Sequence, residues 1–520
     1  DTPYARVSER EAPPTWHALA REVSAVTGAC LMTRTDLYRR LGGFDEADLG
    51  VAYNDVDYCL RVRAAGQRVL YTPQAKLMHW GSATRGVTFD AAEHIAFVRR
   101  HGALRDSCLN PNLALEAGRL AVRGDRFVHG RRAGRLRLLL LTHNLNYEGA
   151  PWFLLEYARW MAREAGFGLE VLAAQDGPLR PEFEALGAHI TLVDVRPLFG
   201  AHDEEMFHAR LADIKHSLDW EQIDLVVCNT LMNFWGVPLA ARADKPSLLY
   251  IHESTSIRRF FWDSLDHRLH HLVGEALEGA TRALFLCPAT QAYYEAHGRN
   301  GNFRIVPSWV RLEDIAAFRA AHPREETRRR LGYAEDEVVI ANIGTVCERK
   351  GQHIFLRAID HFVHHHPQVK ARFVLLGARP GIYLDLLQRD LARLNLPHVT
   401  LVPETREVYA HFVAADLFVC TSYEESLPRV VMEAMAFQTP IVSTDVHGIP
   451  TLVGQRQDAY LVPPGDPIAL SRMMWICLAK ERSGKSLTPA AYSRVLREHD
   501  YARVLPCHVE LAREACLARD

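Results

Sequence analysis

Residues 415–444, ADLFVCTSYEESLPRVVMEAMAFQTPIVST, constrain this chain more than any other stretch. From Ala415 to Thr421 the run is apolar, holds β-branched and aromatic residues and ends in a polar cluster, so it is predicted to be a short buried strand. Ser426 stands where a helix N-cap belongs, Pro428 where a first turn tolerates proline, and Val430 to Phe437 continue as an apolar helix. Glu425 falls on the turn and Glu433 one to two turns into the helix. In an open parallel sheet, the crevice beyond such a strand's carboxyl end is where ligands bind.

The rest of the chain supports that sheet class. From Arg135 onward apolar runs alternate with amphipathic ones: Leu136 to Leu141, then WFLLEYARWMAREAG, then LEVLAA, HITLVDV, LVVCNT, LLYIHE, ALFLC and FRIV. Arg311 to Glu337 is a charged helical connector, after which VVIANI, RFVLLGA and HVTLVPE repeat the pattern. Alternating strands and helices predict an α/β chain with two doubly wound parallel sheets. Several strand ends carry chemistry. Gly149 and Ala150 follow the first strand, where a glycine lets backbone approach a phosphate at the next helix start. His252 ends a strand, with Asn229 and Thr230 ending the one before it. Gly344 precedes a second turn bearing Arg349 and Lys350, cations suited to a diphosphate. Gly377 with Arg379, and the Pro403 to Arg406 segment through Glu404, end the next two strands.

Two carboxylates beside a helix N-terminus suit a ligand that is both polyhydroxylated and anionic: vicinal hydroxyls donate to the carboxylates and the first-turn N–H groups of Ser426 and Leu427 attract a phosphate. A nucleotide-sugar has these parts. Glu425, seven residues, Glu433 and then AMAFQTPIVST resembles the E-x(7)-E signature of retaining glycosyltransferases of family 4, and ERKGQ resembles that family's R-K-G segment. The resemblance covers roughly residues 135–480. It implies the GT-B fold, two Rossmann-like domains at 135–312 and 313–485, with helices from 486 to 520 packing back on them. It further implies that Glu425 contacts the donor sugar, Glu433 the ribose, Lys350 and Arg349 the phosphates, and that His252 lies by the reacting oxygen. Gly149, Ala150, Ser426, Leu427, Gly344, Gly377 and position 404 would border the donor, a UDP- or GDP-sugar used without a metal. Thr345 stands where that family carries a second arginine. A GT-B epimerase or phosphorylase and a non-catalytic glycan-binding scaffold are the competing readings, because fold does not fix function.

Residues 1–108 read differently. TGACLMTR, GGFDE, NDVDYCLR and P-x(4)-HWGS resemble the C-terminal part of a family 2 glycosyltransferase of the GT-A fold, with Val26 to Thr33 as a strand and NDVDYCLRVRAAG as a helix. That likeness makes Asp55 the counterpart of a catalytic base and places Asp57 and His79 near a Mg or Mn site in an intact domain. Asn54 replaces the family's usual glutamate, and the half that would bind the nucleotide is expected in a longer parent chain. Residues 109–134 read as a basic linker.

Composition narrows the partners. Lys plus Arg number 61 against 63 Asp plus Glu, so a net charge of -2 gives no global attraction to nucleic acid. Ten cysteines are scattered singly inside apolar runs, as reduced core residues of a cytoplasmic protein are. His364 to His366 precede Pro367 at a helix end and read as surface rather than a metal site. No apolar stretch is long enough to span a bilayer, so a glycan or lipid-linked acceptor would be met from the cytoplasmic face, by a protein peripheral to the inner membrane. Such an activity belongs to bacterial surface polysaccharide synthesis of the O-antigen or capsule type.

Overall fold

The computed structural model describes residues 20–50, 52–75, 93, 96–97, 100–101, 113–116, 119–122, 136–298 and 300–517. The chain divides into a unit ending at residue 133 and a larger unit from 134 to 519.

In the first unit Arg21–Glu22 pairs antiparallel with Leu70–Tyr71. The helix Asn54–Ala64 buries Tyr58, Cys59 and Val62 against Leu37 and Val69. Val26 to Thr33 do not form the predicted strand: Gly28–Cys30 is a single tight helical turn, capped by the Thr27 hydroxyl, which accepts from the Ala29 N–H. The apolar run there was too short, and too rich in small residues, to hold an extended segment once a local cap was on offer. The basic stretch taken as linker contains paired strands, Leu113–Glu116 and Arg119–Val122.

The second unit holds two sheets. The first consists of β1 (Arg137–Thr142), β2 (Gly168–Ala173), β3 (His189–Leu192), β4 (Leu225–Asn229), β5 (Ser247–Ile251), β6 (Arg282–Phe285) and β7 (Phe303–Ile305). Every pairing in it is parallel, in the order β7-β6-β5-β4-β1-β2-β3. The second consists of β8 (Val338–Ile343), β9 (Ala371–Ala378), β10 (Val399–Pro403), β11 (Leu417–Cys420), β12 (Ile441–Thr444) and β13 (Tyr460–Val462). It too is all parallel, ordered β10-β9-β8-β11-β12-β13. Both orders reverse direction beside their first strand, which opens a crevice at the strand carboxyl ends. Strands such as β1, β4, β8 and β11 are buried almost throughout, as strands covered on both faces must be.

The helices that matter to the site are α1 (Gly149–Arg163), α2 (Gln352–His365), α3 (Arg429–Phe437), α4 (Thr488–Glu498) and α5 (Tyr501–Leu517). One continuous apolar core takes in the inner faces of both sheets, running from Leu138 and Phe153 through Trp309 to Val431, Met435, Val495 and Ala512. The two halves are thus lobes of one unit, and the expected architecture of two doubly wound α/β sheets facing each other is the one observed. No helix among the described residues is long and apolar enough to cross a membrane.

Candidate active site

The turn after β11 gathers the first group. Glu425 is 6% exposed, and its Oε1 accepts from the Ser422 hydroxyl at 2.6 Å and from the Lys350 ammonium. Arg349 stands 3.8 Å from Oε2 and donates to the Glu424 carbonyl at 2.9 Å. Burial pushes the Glu425 carboxyl up, but Lys350 and Arg349 outweigh it and hold it below its ordinary value. Glu425 is therefore a charged acceptor already balanced by two cations.

The approach is set by glycines whose neighbours leave no room. Gly351 has φ +65°, and a Cβ on it would sit 2.2 Å from the Thr421 carbonyl oxygen. Gly377 has φ +113° and would meet the Gly344 oxygen at 2.3 Å. Around that glycine pair the cations collect. Lys350 Cε lies 4.0 Å from where a Cβ of Gly344 would be, and Arg379 donates to the Thr345 hydroxyl at 3.2 Å. Where the resemblance called for an arginine at 345, a guanidinium arrives instead from the end of β9. Arg379 also pairs with Glu404 at 3.0 Å and with Glu148, in the other lobe, at 3.2 Å. Position 404 therefore contributes a carboxylate to this cluster.

On the first lobe, Gly149 opens α1, and a Cβ there would meet no atom within 4 Å. Glu148 precedes it; hydrogen bonding from His143, then Arg379, hold its carboxyl down at about 2 against the cost of burial. His252 follows β5. Its Nε2 lies 2.9 Å from Asn229 Oδ1, and the Asn229 amide nitrogen donates to the Ala150 carbonyl at 2.8 Å. Because that amide's donor end faces Ala150, its oxygen must accept from His252, which places the proton on Nε2 and leaves Nδ1 an acceptor. Desolvation beside Phe153, with His143 adding to it, lowers the imidazole to about 3, so it is neutral. Thr230, next to Asn229, has φ +77°, a strained conformation for a β-branched residue, and its buried hydroxyl has no partner among the described residues.

Hydrogen bonds and an ion pair bring the segment after His252 and the turn bearing Glu425 together. Ser254 hydrogen-bonds Thr290 at 2.8 Å, Thr290 donates to the Ser426 hydroxyl at 2.9 Å, and Arg259 pairs with Glu424 at 2.9 Å. Ser426 is consequently not the N-cap of α3. Pro428 holds the cap position with no side-chain hydrogen bond, and Ser426 is buried against the first lobe. Its local sequence suited a cap, but a tertiary hydroxyl partner claimed it. Leu427 is buried with it.

Glu433 takes a separate place. Its Oε1 accepts from Arg429 Nε at 2.8 Å, and the Arg429 guanidinium also grips Glu156 of α1 at 2.5 and 3.0 Å. Trp152 and Trp309 donate their indole N–H groups to Glu156 at 3.1 and 2.9 Å. Burial raises the Glu433 carboxyl despite Arg429, and Glu156 raises it further. This bridge was missed from sequence, although two signals for it were present: an Arg four residues before Glu433, and an acidic residue on the apolar face of α1.

In the first unit Asp55 accepts from the Gly28 N–H at 2.7 Å, and Asp57, fully buried, is held by Arg61, Arg100 and His101. Asp57 is thereby a structural ion partner rather than a vacant ligand. His79 lies outside the described residues. No cluster of three metal-ligating side chains occurs among the described residues.

Both lobes resemble known proteins. Residues 147–314 match the family described as Glycosyltransferase Family 4, and residues 337–479 match Glycosyl transferases group 1. A D-inositol 3-phosphate glycosyltransferase of Streptomyces avermitilis is 31% identical over 190 residues, 35% of this chain and 40% of the relative. A Bacillus subtilis protein named as putative teichuronic acid biosynthesis glycosyltransferase TuaC is 30% identical over 140 residues, 27% of this chain and 33% of the relative. The chain thus spans at most about two fifths of these curated relatives. The crystal structure of Anabaena HepE in complex with UDP and glucose superposes with a TM-score of 0.60 at 18% identity, over 72% of this chain and 99% of that one. The unit from 134 to 519 therefore has the GT-B fold, its first lobe matching the Glycosyltransferase Family 4 model and its second the Glycosyl transferases group 1 model.

Proposed function

We propose that this chain transfers a sugar from a nucleotide-sugar, a UDP- or GDP-sugar, to a glycan or lipid-linked acceptor with retention at the anomeric carbon, in the synthesis of a bacterial surface polysaccharide. The observation that carries the reading is the buried Glu425 carboxylate balanced by Lys350 and Arg349. In the proposed reaction the bond from the anomeric carbon to the diphosphate oxygen breaks. Lys350, Arg349 and Arg379 take up the charge that develops on the diphosphate. The acceptor hydroxyl bonds to the same face of the anomeric carbon, and its proton passes to the departing phosphate oxygen. His252 donates through Nε2 to Asn229, so its Nδ1 is free to accept from a sugar hydroxyl. Glu425 orients the donor sugar and need not bond to it covalently.

The complex of the Anabaena structure supports a uridine donor, and the name of the Bacillus relative supports a cell-surface polymer. For the first unit, the GGFDE segment followed by the helix from Asn54 supports a family 2-like reading. The test is incubation of the full chain with UDP- and GDP-sugars and an oligosaccharide acceptor, with the product's anomeric configuration read by NMR. Transfer with retention, reduced at least a hundredfold by Glu425→Gln, is expected. Release of an altered free nucleotide-sugar, dependence on inorganic phosphate, or full activity in Glu425→Gln would overturn the reading.

A further inference from the structure

A second hollow, of about 870 Å³, opens on the first lobe between the segments 199–202 and 258–270. Its size lies within the range of small-molecule sites. Three features set it apart from a surface dent. Trp262 stands at its edge with 74% of its area exposed, a large apolar face that the fold leaves uncovered. Phe199, which also lines the hollow, stacks on Phe261, and Phe261 packs edge-on against Phe234. Ser264 lines the hollow, and its hydroxyl is buried with no hydrogen-bond partner among the described residues.

The polar groups divide in a telling way. Asp266 is already engaged, accepting from the Arg268 N–H at 3.0 Å, pairing with that guanidinium at 2.7 Å and lying 3.8 Å from His202 Nδ1. Arg258 and Asp263 line the hollow, are exposed, and form no ion pair or side-chain hydrogen bond among the described residues. Besides the imidazoles of His202, His267 and His270, the lining therefore offers one aromatic face, one cation, one carboxylate and the Ser264 hydroxyl. A pyranose matches that set: its axial C–H face is apolar and slightly positive, complementary to the negative face of an indole, while its rim of hydroxyls both donates and accepts. A purely apolar ligand would leave Arg258, Asp263 and Ser264 unpaired, and a compact anion would leave Trp262 bare.

The position is equally specific. Arg259, next to Arg258, pairs with Glu424, the neighbour of Glu425. Trp262 is three residues further on, so its Cα is within about 11 Å of that of Arg259 along even a fully extended chain. We propose that this hollow is a glycan-binding subsite, in which a sugar residue of the acceptor stacks on Trp262 and is held by Arg258, Asp263 and Ser264 while the reactive end reaches His252. Its role in transfer rests on the function proposed above; its affinity for glycan does not.

The two can be tested apart. The full chain without donor is titrated with maltohexaose and, separately, with hexagalacturonic acid, following tryptophan fluorescence and heat. At least one oligosaccharide is expected to bind, with Trp262→Ala weakening it at least tenfold and Trp262→Phe restoring most of the affinity. The shift in melting temperature caused by UDP is expected to be the same in both variants and the parent chain, since the hollow does not touch the cation cluster. If neither oligosaccharide binds, or Trp262→Ala binds as well as the parent, the proposal falls, whatever the outcome with nucleotide-sugars. If glycan binds through Trp262 but no donor is turned over, the subsite stands and the transferase reading fails.

Discussion

At the scale of single residues, the neutral His252 gives a sharp expectation. Its folded-state value of about 3 lies below the ordinary value near 6.5, so below 6.5 the unfolded chain binds a proton that the folded chain refuses. The histidine's contribution to stability is thus complete above 6.5 and is lost as pH falls from 6.5 toward 3, by up to about 1.4 kcal/mol per pH unit. Glu425, whose carboxyl is held down, loses its contribution in the same direction but only below its ordinary value near 4.5. Urea unfolding of His252→Gln between pH 7 and 5 is therefore expected to show a shallower loss of stability than the parent chain. An unchanged slope would mean that the imidazole titrates normally. Glu425, Lys350 and Arg349 could be picked out from sequence because each sits in a short motif whose residues meet within one turn or across adjacent strand ends. Neither Arg429 with Glu156 nor Arg379 with Thr345 was legible as a pair, since neither pair joins two recognisable motifs.

At the scale of elements, strands were easy to find because a strand buried on both faces must be an unbroken apolar run, as in RLLLLT and VVIANI. The connections were harder. Ser426 has the composition of a cap yet serves the contact between lobes, and only the approach of Thr290 reveals it. Gly351 belongs to the ERKGQ segment. Its true constraint is that α2 begins against the carboxyl end of β11, where the Thr421 carbonyl occupies the place of a side chain. Gly351→Ala is accordingly expected to cost about 1–3 kcal/mol in urea unfolding, from the left-handed backbone together with the close approach. It should also raise the KM for donor more than it lowers kcat, because Lys350 is the adjacent residue and moves with it. A variant as stable as the parent would show that the turn has room to relax.

At the scale of the whole unit, the two lobes are joined by a shared core and by polar bridges of unequal kinds. Arg259 with Glu424 and Arg379 with Glu148 are partly exposed, and such pairs contribute little to stability. Two others are buried. His508 of α5 accepts from the Tyr250 hydroxyl at 2.8 Å and donates to the Pro307 carbonyl at 3.0 Å, fastening the C-terminal helix to the first lobe. Arg429 lies between Glu156 and Glu433, and removing it would leave two carboxylates facing each other out of water. Breaking such a buried arrangement costs about 3–5 kcal/mol. Arg429→Ala should therefore lower the urea midpoint markedly at pH 8. The two stranded carboxyls would then have folded-state values above their unfolded ones, so each favours the folded chain only as it takes up a proton, and the deficit should shrink as pH falls from 8 toward 5. A deficit that stays constant over that interval would mean that the arginine acts by packing alone. One that grows would mean that the carboxyls find other cations once it is gone.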